Sequence, residues 1–332
     1  MLTKFFETLS AIIIMNTFKI LFLSANWRVS LIRAFQEAKN GFDTDFQLIA
    51  VDSDALAPAL QIADKSHSLP LFSENRCLES LLIICRTQAI DSIIPLTNKA
   101  IDFLDTYREE LGEGNRRLGI QESSTIEICH DKWNLWKFME MEGFTSPKTF
   151  LLEESNPPDV FPLIAKERKG EGGKNQILIE DQRDLDYCMD KFPNHIFQEF
   201  ILGREYSVDL FSDKKGAPQL IVPRERLSVR GGEVMTSRID MNKAIIDSVE
   251  ALNRRLALTG PCNIQGILDD KGNFFLTDLN LRFGSGSVHT IAAGGNIPLM
   301  MYQEITGQKM SKPSIQNQSL MTRYPESIFH HS

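Results

Sequence analysis

Apolar runs of buried-strand length alternate with helical periodicities along the first third of the chain. Phe18–Ala25 and Phe46–Asp52 are rich in Ile, Leu, Phe and Val, as strands covered on both faces must be. Between them Leu31, Phe35 and Ala38 recur at helical spacing, and Gly41 supplies a stop. Leu78, Leu81, Leu82 and Cys85 mark a second helix ahead of another buried strand, Ser92–Leu96. Strands alternating with helices predict a parallel sheet with right-handed crossovers. A small, doubly wound α/β domain is therefore expected over residues 16–120. Asp52 ends the second strand, where a dinucleotide-binding acid would sit. The first turn, however, reads Ser24-Ala25-Asn26-Trp27-Arg28, without a glycine to let a pyrophosphate approach the backbone. A nicotinamide dehydrogenase is disfavoured.

Residues 1–15 (MLTKFFETLSAIIIM) place Lys4 before an apolar stretch that Glu7 interrupts. The stretch has no clean cleavage site and is shorter than the about 20 apolar residues that span a bilayer. It is expected to be an N-terminal extension, with Met15 a natural start for the first strand.

The texture changes after Gly119. Ser123–Cys129 and Asp131–Glu142 read as two short helices that end at Gly143 and Pro147. Strand Leu163–Glu167 leads into Lys166-Glu167-Arg168-Lys169-Gly170-Glu171-Gly172-Gly173-Lys174, and a further strand, Gln176–Glu180, follows. A loop between two strands is not a Walker loop, which needs a helix afterwards. Glycines in a hairpin can still lay backbone N–H groups over phosphates and close as a lid; taken alone, the segment is better read as a mere flexible hairpin.

Downstream, Glu199 is followed by Phe200-Ile201-Leu202-Gly203 and then Glu205, where an alternating strand begins. Period two puts Glu205, Ser207 and Asp209 on one face. Val222–Arg226 puts Arg224 and Arg226 on one face, and Ile245, Val249, Leu252 and Leu256 define an amphipathic helix. In Asn263-Ile264-Gln265 two amides share a face, and in Phe275–Arg282 so do Asp278, Asn280 and Arg282. A carboxylate with two amide carbonyls suits Mg²⁺, a hard cation that usually also keeps phosphates and water. An arginine two residues beyond can stabilise charge on a transferring phosphoryl group. The bland alternative is an ordinary strand with one solvated face; the polar cluster beside Gly284-Ser285-Gly286-Ser287 makes it the weaker one.

Composition narrows the classes. The 332 residues are 42% hydrophobic and 24% charged, an ordinary soluble composition of about two domains' length. Lys plus Arg total 36 against 44 acids, a net charge of −8, which argues against nucleic-acid or membrane binding as the main work. A small phosphate-bearing ligand needs only a few local cations. Five cysteines without a C-x-x-C pair read as free thiols in a reducing cytosol, so a cytoplasmic location is expected. The six histidines show no metal-ligand spacing, and neither His130 nor His289 is given a role.

Taken in order, these motifs resemble the ATP-grasp superfamily, and more closely its carbamoyl-phosphate-synthase large-chain-like branch of stand-alone carboxylate–amine ligases. The likeness runs from Phe18 to about Gly307. It implies a pre-ATP-grasp α/β domain at 16–120 and an ATP-grasp domain at 121–310. The latter joins a lid subdomain (about 145–198) to an antiparallel-sheet core, and 311–332 is left as a C-terminal tail. By resemblance Lys132 and Lys166 hold ATP phosphates under a loop containing Gly170, Gly172 and Gly173. Glu199 with the backbone of Phe200 and Ile201 forms the adenine hinge, and Glu205 takes the ribose hydroxyls. Gln265, Asp278 and Asn280 carry one or two Mg²⁺ ions, with Mn²⁺ an alternative. Arg282 sits on the γ-phosphate, and Arg224 neutralises phosphate or a substrate carboxylate. The partners implied are a small carboxylate and an amine, neither nucleic acid nor membrane, with a homodimer open.

Three features depart from the pattern. Asp278 is one methylene shorter than the usual glutamate, Leu281 replaces the usual proline, and Pro95-Leu96-Thr97-Asn98 lacks an acidic pair. Alternatives are a carbamoyl- or carboxy-phosphate-forming synthetase and an ATP-binding accessory module whose catalysis has lapsed.

Overall fold

The computed structural model describes residues 17–152, 154, 160–170 and 176–329. The expected extension at 1–15 and the loop glycines Gly172 and Gly173 lie outside the described residues. Nine elements build the first unit: β1 (Phe18–Leu23), α1 (Val29–Ala38), β2 (Phe46–Asp52), β3 (Lys65–Ser68), α2 (Cys77–Thr87), β4 (Ser92–Pro95), α3 (Asn98–Thr106), α4 (Arg108–Leu111) and β5 (Arg117–Leu118). Their strands form one parallel sheet in the order β3-β2-β1-β4-β5. Continuous apolar runs predicted the three central strands because helices cover both faces there. The edges escaped notice: β3 reads Lys-Ser-His-Ser and β5 is two residues long, so neither has an apolar pattern. At the β1–α1 turn Ser24 and Asn26 take φ of 60° and 34°, and Asp52 accepts from the Asn26 N–H at 2.9 Å. Asp52 thus braces the glycine-free turn.

The chain then forms α5 (Ser123–Cys129), α6 (Lys132–Glu142), β6 (Thr149–Leu151), β7 (Leu163–Glu167), β8 (Ile177–Ile179), α7 (Gln182–Lys191) and β9 (His195–Glu199). Asp131 caps α6 by accepting from the amides of Trp133 and Asn134, and Gly143 ends it at a φ of 74°. The four strands pair antiparallel as β6-β9-β7-β8.

The last part comprises β10 (Arg204–Ser212), β11 (Pro218–Arg230), β12 (Glu233–Ile239), α8 (Lys243–Leu256), β13 (Gly260–Leu268), β14 (Phe274–Asn280), α9 (Ser287–Ala292), α10 (Ile297–Thr306) and β15 (Leu320–Thr322). Its antiparallel sheet runs β14-β13-β10-β11-β12-β15. The segment expected to be a plain tail therefore supplies an edge strand, with Thr322 opposite Thr236. Three residues are too few for any periodicity to show. Arg323 then fastens the segment, donating to Ser285 O at 2.6 Å and pairing with Glu233 at 3.0 Å.

An aromatic cluster fixes the parallel sheet's domain against the large antiparallel sheet. The Phe35 ring on α1 lies 4.9 Å from Phe22, 5.9 Å from Phe283 and 5.7 Å from Tyr302, all edge-on. Tyr302 on α10 also donates its hydroxyl to Phe35 O at 3.0 Å. Phe35 is fully buried, so Phe35→Ala is expected to destabilise the protein by about 3–5 kcal/mol, read from the urea midpoint. Loss of under 1 kcal/mol would show that the two domains are held elsewhere.

Candidate functional site

A cavity of about 450 Å³ lies between the two antiparallel sheets. Strand register explains how the six-stranded sheet paves its side of it. Asp278 on β14 stands opposite Gln265 on β13, Gln265 opposite Ser207 on β10, and Ser207 opposite Arg224 on β11. One step along, Asn280, Asn263 and Asp209 form a second row across three strands. The polar face read from period two is thus continuous across neighbouring strands. Asp278, Gln265, Asn280, Arg282, Arg224 and Glu205 all line the cavity.

The opposite wall comes from the smaller sheet and α6. Lys166 on β7 and Lys132 at the start of α6 both line the cavity, as does Gly170. Lys132 Nζ donates to Gly170 O at 2.8 Å. The arrangement is braced by Arg168 Nε, which lies 2.9 and 2.8 Å from the two oxygens of the Asp131 cap. Lys166 Nζ donates to Gln198 Oε1 at 2.7 Å. Its ammonium is pushed down to about 8, chiefly by burial; Lys132 adds repulsion, while Asp278 and Glu205 pull the other way.

Not every expected residue reaches the cavity. Glu199 ends β9, Phe200 and Ile201 follow it, and none of the three is among the lining residues. Glu199 accepts from the Lys148 N–H at 3.4 Å, and its neighbour Gln198 is the residue beside Lys166. Glu205 is half-exposed and accepts from Arg226 Nη1 at 2.6 Å. Arg282 donates to Asn98 Oδ1 at 3.1 Å, Phe283 O at 3.1 Å and Asn280 Oδ1 at 3.3 Å. The segment that lacks the acidic pair therefore contributes an amide, Asn98, to the site.

Arg224 is the most deeply placed cation, 1% exposed. Its Nε and Nη2 meet Asp209 at 2.8 and 3.2 Å, while Nη1 has no partner and rests against Gly286. A Cβ at position 286 would collide with that nitrogen, so only glycine leaves the guanidinium its space. Asp209 also accepts from Asn263, Ser287 and Thr290. Burial opposes its charge, yet Arg224 and the two hydroxyls overcome that penalty and hold the carboxyl below the usual range. Nearby, His289 is held between Ser237 and Ser319 and pushed down to about 4, by burial first and by Arg224 second, so it stays neutral. Sequence reasoning placed Asp209 on the right face without a role. Its arginine partner lies on another strand, and only the register could reveal it.

Among the described residues no three His, Cys, Asp or Glu side chains cluster for a metal. One carboxylate and two amide oxygens on a shared face fit Mg²⁺ in its usual habit of keeping phosphates and water as further ligands.

Family comparison places the chain. The model of the ATP-grasp domain matches residues 129–286, and that of the PylC-like N-terminal domain matches residues 20–116. Residues 129–286 thus carry an ATP-grasp domain, preceded by a PylC-like N-terminal domain. Carbamoyl-phosphate synthase from Methanobrevibacter smithii is 23% identical over 236 residues; the match covers 69% of this chain and 57% of that protein's length. Among solved structures, N5-carboxyaminoimidazole synthetase from Staphylococcus aureus, complexed with ADP, superposes with a TM-score of 0.75 at 15% identity, over 93% of this chain and 83% of that one. L-amino acid ligase from Bacillus licheniformis gives 0.69 at 18% identity, over 90% and 75%. The fold is thus a parallel-sheet N-terminal domain followed by an ATP-grasp domain with antiparallel sheets.

Removing Asp209 strands a buried guanidinium. Asp209→Ala is expected to cost about 3–5 kcal/mol in chemical denaturation. A loss below 1 kcal/mol would show that Arg224 finds another counter-charge.

Proposed function

We propose that the protein is an ATP-dependent ligase that activates a small carboxylate as an acylphosphate and joins it to an amine, releasing ADP and phosphate. The observation that carries this reading is that one cavity receives Lys132 and Lys166 from one wall and Asp278, Gln265, Asn280 and Arg282 from the other. Two cations facing a hard-oxygen set across a nucleotide-sized gap suit a triphosphate.

A carboxylate is a poor acylating agent because its oxygen leaves badly. Attack of that oxygen on the γ-phosphorus, with departure of ADP, exchanges it for a phosphate leaving group. The amine then adds to the acyl carbon and phosphate departs. Lys132 and Lys166 are proposed to hold the phosphates, and Arg282 to offset charge on the transferring phosphoryl group. Gln265, Asp278 and Asn280 would hold Mg²⁺, which when bound neutralises phosphate oxygens. Gly170 begins the loop proposed to exclude water, which would otherwise hydrolyse the acylphosphate. Arg224 is proposed to turn its unpartnered Nη1 toward an anionic oxygen. Glu199, Phe200 and Ile201 keep their proposed place at the adenine edge, and Glu205 at the ribose. The reading carries a cytoplasmic location, supported by five free, buried thiols. No described helix is long and apolar enough to cross a membrane.

The likeness to a carbamoyl-phosphate synthase favours one second reading, in which bicarbonate is the activated acid. ADP release with pooled amino acids, small carboxylates and bicarbonate separates the two. Turnover that requires both an acid and an amine supports ligation, and turnover on bicarbonate supports the synthetase. Lys166→Ala and Arg282→Ala are each expected to reduce ADP formation by at least about 10³-fold with the fold intact by circular dichroism. Near-normal turnover in both would overturn the assignment.

A further inference from the structure

The amide of Gln198 has only one workable orientation. Thr149 donates its hydroxyl to Pro147 O at 3.0 Å, so toward Gln198 that oxygen can only accept. Gln198 Nε2 fills the role, donating to Thr149 Oγ1 at 2.9 Å. The amide carbonyl is thereby aimed at Lys166 Nζ. Gln198 is 4% exposed and Thr149 1%, so water does not compete for either group.

Resting on the ligase reading for its purpose, we propose that Gln198 is a positioning residue for Lys166. Locked by Thr149, it holds the cation through a neutral acceptor and leaves the counter-charge to be supplied by the anionic nucleotide. Among the described residues no carboxylate forms an ion pair with Lys166. The charged groups that act on it are Asp278 from β14, Glu205 from β10 and Lys132 from α6. A glutamate at position 198 would supply a competing anion and would face the Thr149 oxygen lone pair to lone pair. The amide meets both neighbours and adds no charge. Burial then penalises the unliganded ammonium, and phosphate oxygens relieve that penalty on binding.

The test begins with nucleotide-free protein in chelator. Competitive acetylation with acetic anhydride, mapped by mass spectrometry across pH, titrates Lys166 without reference to any reaction. The wild-type amine is expected to titrate near pH 8. Gln198→Glu should move it to about 9 or above, by adding a near counter-charge. Gln198→Met, which removes the acceptor without adding charge, should move it lower still. Calorimetry then measures the ATP dissociation constant. In the wild type it should rise about tenfold between pH 7 and pH 9, as the free amine loses its proton. In Gln198→Glu it should be weaker at pH 7 and flatter with pH. An ordinary lysine titration in the wild type, or the same titration in all three proteins, would overturn the proposal. Because the acetylation profile needs no substrate, a failed ligase reading would leave it standing and show instead as absent turnover.

Discussion

A single buried carboxylate organises the cavity-facing side of the large sheet. Asp209 gathers two nitrogens of Arg224, the Asn263 amide and the hydroxyls of Ser287 and Thr290. The donors come from three pieces of the wall: β11, β13 and α9. An ionised side chain at 1% exposure survives only when its lone pairs are filled, and here filling them fixes the strand register and the turn before α9 together. The cavity's polar stripe is therefore a by-product of satisfying one anion. Arg224 can stand with one nitrogen unpartnered because its other two are secured.

Much of the architecture was legible in the sequence because its signals are local. Continuous apolar runs announced β1, β2 and β4, and the 4, 3, 4 spacing of Ile245, Val249, Leu252 and Leu256 announced α8, where Ile245, Val249 and Leu252 are buried. The stripe of Asp278, Asn280 and Arg282 follows from alternation along one strand. What alternation cannot report is which strand lies next door. The Arg224–Asp209 pair, the Glu205–Arg226 pair and the Lys166–Gln198 bond all cross between strands. Short edges such as β3 and β15 were silent for another reason: three or four residues on a sheet edge need no hydrophobic repeat.

The two walls differ in how firmly they are built. The large sheet is held by long antiparallel ladders and by the aromatic cluster around Phe35. The smaller sheet has a short apolar core around Leu163, Phe197 and Leu185, and it is joined to α6 by the buried cluster of Trp133, Leu151 and Ile196 and by the Arg168–Asp131 pair.

Asn98 ties the leading domain to the wall of the cavity. It sits in the first turn of α3, yet its amide oxygen receives the Arg282 guanidinium from beyond β14, 184 positions later in the chain. Arg28 of the same domain lines the cavity and donates to Phe283 O at 3.4 Å, so a rigid-body slip between the two domains would disturb both arginines. Grafting a foreign leading domain onto this scaffold would therefore have to reproduce the reach of one amide side chain, as well as a matching apolar footprint.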